Sequence, residues 1–266
     1  MKKAVLITTL VFLLSFSVAA TVSAETTLDS ILQKGELVVG TTGSQPPLNV
    51  TTKTGEIIGL DADLARGIAE NMGVKVKFAA MPFPELLPAL EAGKVDMVIS
   101  SMTMTLKRNL KVAFVGPYYI SGKGILTKAQ TIAVLQDPEG LNKAEFKIAA
   151  LKDSTSQNFI EKTTPKATLV KVKSYDEALD LLSQDKITAL IADYPFCAFT
   201  AFRYSDKGLV AGQSKFTFEP LGIAVQPDPL LLNWLRNFLV MLDGSGQLEL
   251  LNKRWFKDSS WIKELK

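Results

Sequence analysis

An apolar run, residues 95–99, gives way to Ser100-Ser101-Met102-Thr103-Met104-Thr105 and then, past Leu106 and Lys107, to Arg108. Hydroxyls followed by an arginine suit the grip of an anion. A guanidinium presents a planar fork of donors, which holds a carboxylate through two parallel hydrogen bonds. If the chain stays extended, Ser101, Thr103 and Thr105 share one face, with Arg108 a short turn beyond. The same residues allow a plainer reading, in which Thr105 caps a helix starting at Leu106 and Arg108 is a solvated surface charge. A second polar cluster, Lys152-Asp153-Ser154-Thr155-Ser156-Gln157, follows an apolar strand over 146–151. It stands at the mouth of a helix whose free N–H groups can receive an anion or a polar ligand atom. A third, Asp193-Tyr194-Pro195-Phe196, ends the apolar strand 187–192. An acid there either holds an ammonium group or caps the following helix.

These three clusters need elements to hold them. The run before Ser100 reads as a buried strand of a parallel sheet, and in open α/β sheets ligands bind at the carboxyl ends of such strands. Residues 36–41 (ELVVGT) form a first strand, followed by the loop 41–48, where Pro46 and Pro47 fix the backbone and Gly43 permits close approach. Leu60, Leu64, Ile68 and Met72 recur at four-residue spacing on a helix over 61–72, stopped by Gly73. A strand over 74–78 and a helix over 84–92 lead to the strand before Ser100. Strand, helix, strand, helix, strand implies a parallel sheet with right-handed crossovers. A second unit of the same kind runs through strands at 146–151, 169–172 and 187–192, with a helix over 175–182. A strand at 221–225 precedes a helix striped by Leu231, Trp234, Leu235 and Phe238, which Gly244-Ser245-Gly246 ends, and a last amphipathic element spans 248–255. Trp234, Phe238 and Trp255 read as packing residues.

Residues 1–24 combine Lys2 and Lys3, an apolar core and a small-residue stretch ending Val22-Ser23-Ala24, the pattern of a secretory signal peptide cleaved after Ala24. The apolar core is short for a membrane anchor. No cysteine near the cleavage point can take a lipid, since Cys197 is the only one and reads as a small buried hydrophobe. Without Lys2 and Lys3 the chain carries 28 basic against 27 acidic side chains, which points away from nucleic acid and anionic membranes. The absence of histidine excludes Ser-His-Asp chemistry and removes the commonest metal ligand. No cofactor and no metal are expected.

Taken in order, GELVVGTTGSQPPLNV, GEIIGLDADLARGIAENMGVKVKF, ELLPALEAGKVDMVISSMTMTLKR, VAFVGPYYISGKGILTK, IADYP and LGIAVQPDPLLLNWLRNFLVMLDGSGQLELLNKRWF resemble the amino-acid-binding family of solute-binding proteins that serve bacterial ABC importers. The resemblance covers essentially the whole chain after residue 24. It implies an α/β, two-lobed periplasmic-binding-protein fold (type II), each lobe a mainly parallel sheet flanked by helices, with ligand in the cleft. The lobes would be 25–121 with 219–266, and 122–218, the chain crossing near Gly122 and near Phe218. Arg108 matches the arginine that grips the ligand α-carboxylate, and Ser101 and Thr103 match neighbours that bind the carboxylate or the amino group. Thr155, next to Ser156, matches a second-lobe donor to the carboxylate, and Asp193 the acid that takes the α-ammonium. Phe83 stands where an aromatic often lies against the ligand. The implied partners are an amino acid and a permease–ATPase complex, the implied place the periplasm, and the implied state a monomer.

Some positions depart from the pattern. Gln45 and Leu48 replace aromatics that flank the ligand side chain, Thr42 replaces an acid found in some binders of basic amino acids, and Asp153 replaces a glycine. A basic amino acid is thereby disfavoured, and Gln45 is a candidate partner for a polar neutral side chain. Two other classes stay open: a dehydratase-like enzyme of the same fold, which needs a desolvated Glu or Lys in the cleft, and a ligand sensor for a separate receptor.

Overall fold

The computed structural model describes residues 26–265; the signal peptide expected over 1–24 lies outside the described residues. In chain order the strands are β1 (Glu36–Thr41), β2 (Ser44–Gln45), β3 (Asn49–Thr51), β4 (Ile57–Ile58), β5 (Lys75–Ala80), β6 (Met97–Val98), β7 (Ala113–Ser121), β8 (Lys123–Thr127), β9 (Lys147–Leu151), β10 (Thr168–Val172), β11 (Ala189–Asp193), β12 (Val210–Ala211) and β13 (Glu219–Val225). They build two five-stranded sheets, β5-β1-β6-β13-β7 and β10-β9-β11-β8-β12, and a small sheet, β2-β3-β4. The fold is α/β, with helices flanking both large sheets.

The parallel pairs expected from the strand–helix alternation are present, β5 and β6 beside β1, and β10 and β11 beside β9. Each sheet also carries an antiparallel flank. β13 runs antiparallel to β6 and β7, and β8 antiparallel to β11 and β12. The cause is connectivity: β8 follows β7 directly and β13 returns from the other sheet, so neither arrives through the helical crossover that parallel pairing requires.

The helix Leu60–Met72 buries Leu60, Leu64 and Ile68 and stops at Gly73, whose φ of 71° only glycine adopts at low cost. Each such fully buried aliphatic contributes about 1.5–3 kcal/mol. The helix Pro229–Gly244 buries Leu231 and Leu235 in the same core, which also holds Trp255 and Trp261. Trp234 stacks on Phe238 at 5.7 Å between ring centroids. Cys197 is buried in a separate apolar cluster.

The two large sheets are joined where the chain passes through Ser121, Gly122 and Lys123 and where it returns through Thr217 and Phe218. The two crossings are tied to each other. Ser121 pairs with Glu219 across β7 and β13, the Lys123 N–H donates to Thr217 Oγ1 at 3.0 Å, and the Phe216 N–H donates to the Lys123 carbonyl at 2.9 Å.

Candidate functional site

Around Arg108 the local folding follows the plainer expectation in part. Thr105 caps the short helix Leu106–Asn109, its hydroxyl accepting from the Arg108 N–H at 3.2 Å. Arg108 itself is not a solvated charge. Its side chain turns back so that Nη1 donates to the Thr103 carbonyl at 2.8 Å, and its Cζ lies 5.6 Å from the centre of the Phe83 ring. Burial draws the guanidinium below the ordinary arginine value, and the negative charges of Glu219 and Asp193 oppose that shift. Among the described residues no carboxylate lies within 4.0 Å of it.

Ser101, Thr103 and Thr105 do not share one face, because Ser101 takes φ of 51° and breaks the extended run. Its N–H donates to Asp61 Oδ2 at 2.8 Å, and its hydroxyl accepts from Asn49 Nδ2 at 3.4 Å. Ser101 therefore belongs to a buried network around Asp61, which also takes the Tyr118 hydroxyl at 2.8 Å and Asn49 Nδ2 at 2.7 Å. Thr103 goes the other way. Residues 102–104 lie antiparallel to β13, with the Met104 N–H donating to the Pro220 carbonyl at 2.8 Å, and the Thr103 hydroxyl donates to Glu219 Oε2 at 2.8 Å.

From the second sheet, Ser154 caps the helix Thr155–Thr163 through the Gln157 N–H. The N–H groups of Thr155 and Ser156 in its first turn have no acceptor among the described residues. The Thr155 hydroxyl donates to Glu219 Oε2 at 3.0 Å and stands 3.5 Å from that of Thr103. Asp193 starts the helix Tyr194–Arg203 but makes no side-chain cap bond, so that alternative is set aside. Its Oδ1 instead accepts from Lys123 Nζ at 2.6 Å. The two residues face each other across the antiparallel pair of β11 and β8.

Lys123 and Glu219 escaped the sequence reading. Lys123 is 2 % exposed, with Nζ 3.5 Å from Glu219 Oε2. Burial alone would push the Glu219 carboxyl up. The Lys123 charge and the hydroxyls of Thr103, Thr217 and Thr155 outweigh burial and hold it below the usual glutamate value. A lysine opening the wholly buried strand β8, and a glutamate opening β13, were the available signs. Gln45 is buried in β2, and forms no hydrogen bond with these groups among the described residues. Its neighbours Ser44 and Pro46 line an open pocket of about 390 Å³ that Phe196 and Thr200 line from the second unit.

The site thus places Arg108, Thr103, Thr155, Lys123, Asp193 and Glu219 together, drawn from both units, and neither Ser101 nor Gln45 is hydrogen-bonded to these groups among the described residues. A donor fork, a helix N-terminus and two acids are groups that can hold a small polar molecule with both signs of charge. The description of bacterial extracellular solute-binding proteins, family 3, matches residues 37–258. The chain belongs to that family. It is 29% identical over 224 residues to the ABC transporter arginine-binding protein 1 of Escherichia coli (strain K12), covering 82% of this chain and 89% of that one. A Wolinella succinogenes DSM 1740 structure, described as a binding component of an ABC transporter complexed with lysine, is 33% identical, with TM-score 0.82 over 86% of this chain and 99% of that one. An ancestral amino acid-binding protein, described as a precursor of cyclohexadienyl dehydratase, is 35% identical, with TM-score 0.80 over 87% and 100%. Among the described residues no helix is long and apolar enough to cross a membrane, and no cluster of metal-ligating side chains occurs.

Proposed function

We propose that this protein captures an amino acid between two closing lobes, residues 25–121 with 219–266 and residues 122–218, and delivers it to an ABC permease–ATPase complex. The observation that carries this reading is the Arg108 fork, set over the Phe83 ring, lacking a carboxylate of its own and bonded to Thr103, whose hydroxyl stands 3.5 Å from that of Thr155 at the open helix N-terminus. An α-carboxylate completes both, and Asp193 takes the α-ammonium. Because the groups come from both units, a bound amino acid favours the closed form. The protein works as a monomer in the periplasm, exported through residues 1–24.

A second reading has a specific observation behind it. Lys123 and Glu219 are the desolvated groups that a dehydratase acting on a small carboxylic acid would need in its cleft. Yet Glu219 is held ionised, whereas a general acid at neutral pH needs its pKa raised. Binding therefore explains the site better.

The test is a thermal-shift screen of residues 25–266 against the common amino acids and a panel of cyclic carboxylic acids, with Arg108→Ala and Asp193→Ala alongside. An amino acid that binds the folded state raises the melting temperature by mass action, and neither variant should respond. A response to carboxylates without an amino group, kept in Asp193→Ala, overturns the amino-acid reading. Consumption of a cyclic acid would establish the enzyme.

A further inference from the structure

The acid matched to the ligand's ammonium already has a cation on it. Lys123 Nζ lies 2.6 Å from Asp193 Oδ1 and 3.5 Å from Glu219 Oε2, with all three side chains less than a tenth exposed. Arg108 and Lys123 together face Asp193 and Glu219, so these four groups balance in charge among themselves. A charge brought into such a dry region without a counter-charge of its own is strongly disfavoured.

We propose that Lys123 and Glu219 set the net charge of the amino acid that the cleft accepts, selecting one with an uncharged side chain and rejecting arginine and lysine. This rests on the amino-acid reading above. A zwitterion with a neutral side chain adds one charge of each sign and leaves the balance intact. Its carboxylate meets Arg108, and its ammonium shares the two acids with Lys123. A basic side chain adds a cation for which no acid is left. Asp61, the acid buried under the loop 41–49, is enclosed by the Tyr118 hydroxyl, the Ser101 N–H and Asn49 Nδ2, which leaves it hydrogen-bonded inside the first unit. Thr42 donates its hydroxyl to Asn49 Oδ1 at 2.7 Å and brings no charge. The selectivity thus lies in Lys123, which fills the role of a second cation from inside the protein.

The decisive experiment is calorimetric titration of residues 25–266 with arginine, lysine and the neutral amino acids. It compares wild type with Lys123→Met, Glu219→Gln and the double variant, each checked for a cooperative melt. In wild type, arginine and lysine should bind at least ten-fold more weakly than the best neutral amino acid. Lys123→Met, which leaves one acid in excess, should narrow that gap at least ten-fold. Glu219→Gln should widen it, and the double variant, balanced again, should return to the wild-type ratio. If Lys123→Met fails to melt cooperatively, Glu219→Gln and the double variant carry the test. Basic amino acids binding wild type as tightly as the best neutral one would overturn the proposal, as would a gap that none of the folded variants changes. Wild type binding no amino acid at all would instead remove the underlying amino-acid reading, and this proposal with it.

Discussion

Thr155 and Glu219 are bonded across the cleft: the hydroxyl from the second sheet donates at 3.0 Å to a carboxylate that opens a strand of the first. This contact ties the two units together. Thr155→Val keeps the shape and removes the donor, at a cost of about 1 kcal/mol. The ligand-free variant should show a larger radius of gyration by small-angle scattering, and saturating ligand should restore the compact value. Identical ligand-free scattering from variant and wild type would show that the hydroxyl does not hold the units closed.

Arg108→Lys keeps the charge but loses the fork. Loss of one charge-assisted hydrogen bond costs about 2 kcal/mol, roughly a thirty-fold weakening of ligand binding. Titration calorimetry reads this directly. Thermal stability should fall little, because the Thr103 carbonyl is the only hydrogen-bond acceptor of the guanidinium among the described residues.

Asp61 gives a pH signature. Burial raises its carboxyl from 3.8 to about 6, against the lowering effect of bonds from Tyr118, Asn49 and Ser101. A carboxyl that holds its proton more tightly when folded contributes stability below its unfolded value and loses that contribution as pH rises through about 6. The difference corresponds to about 3 kcal/mol. Denaturant unfolding of wild type and Asp61→Asn between pH 4 and pH 7 should show wild type losing about that much relative to the variant. A constant difference across the range would remove Asp61 as its source.

Asp228 caps the helix Pro229–Gly244 through the N–H groups of Leu230 and Leu231 at 3.0 and 3.1 Å. It also accepts from the Leu28 N–H at 3.0 Å, docking the helix Thr27–Lys34. Asp228→Ala should cost about 1–2 kcal/mol. Hydrogen exchange should rise first in the Thr27–Lys34 helix, while ligand affinity stays unchanged.

The alternating units were legible because local patterns specify them. The strand Glu36–Thr41 and the stops at Gly73 and Gly93 follow from apolar spacing and from glycine's tolerance of positive φ. β2, β3 and β4 were not, since two- and three-residue strands carry no period. Nor was β7, where Gly116 and Pro117 interrupt the run in the way a turn would. Arg108 and Thr103 could be picked out because both sit on one short stretch. Lys123 and Glu219 could not be paired, as they lie far apart in sequence and meet only where two strands cross. The partner that Ser101 takes was not legible either: its φ of 51° is a backbone feature, and it brings the Ser101 N–H to Asp61.

The paired crossings at 121–123 and 216–219 have a mechanical consequence. Two crossings tied to each other by hydrogen bonds form one narrow strip, the place about which closure of the units would turn. Lys123 and Glu219 stand on that strip itself, not at its far ends. Whatever the swing does at the rim of the cleft, the charge balance that greets a solute is carried at the pivot, where displacement is smallest.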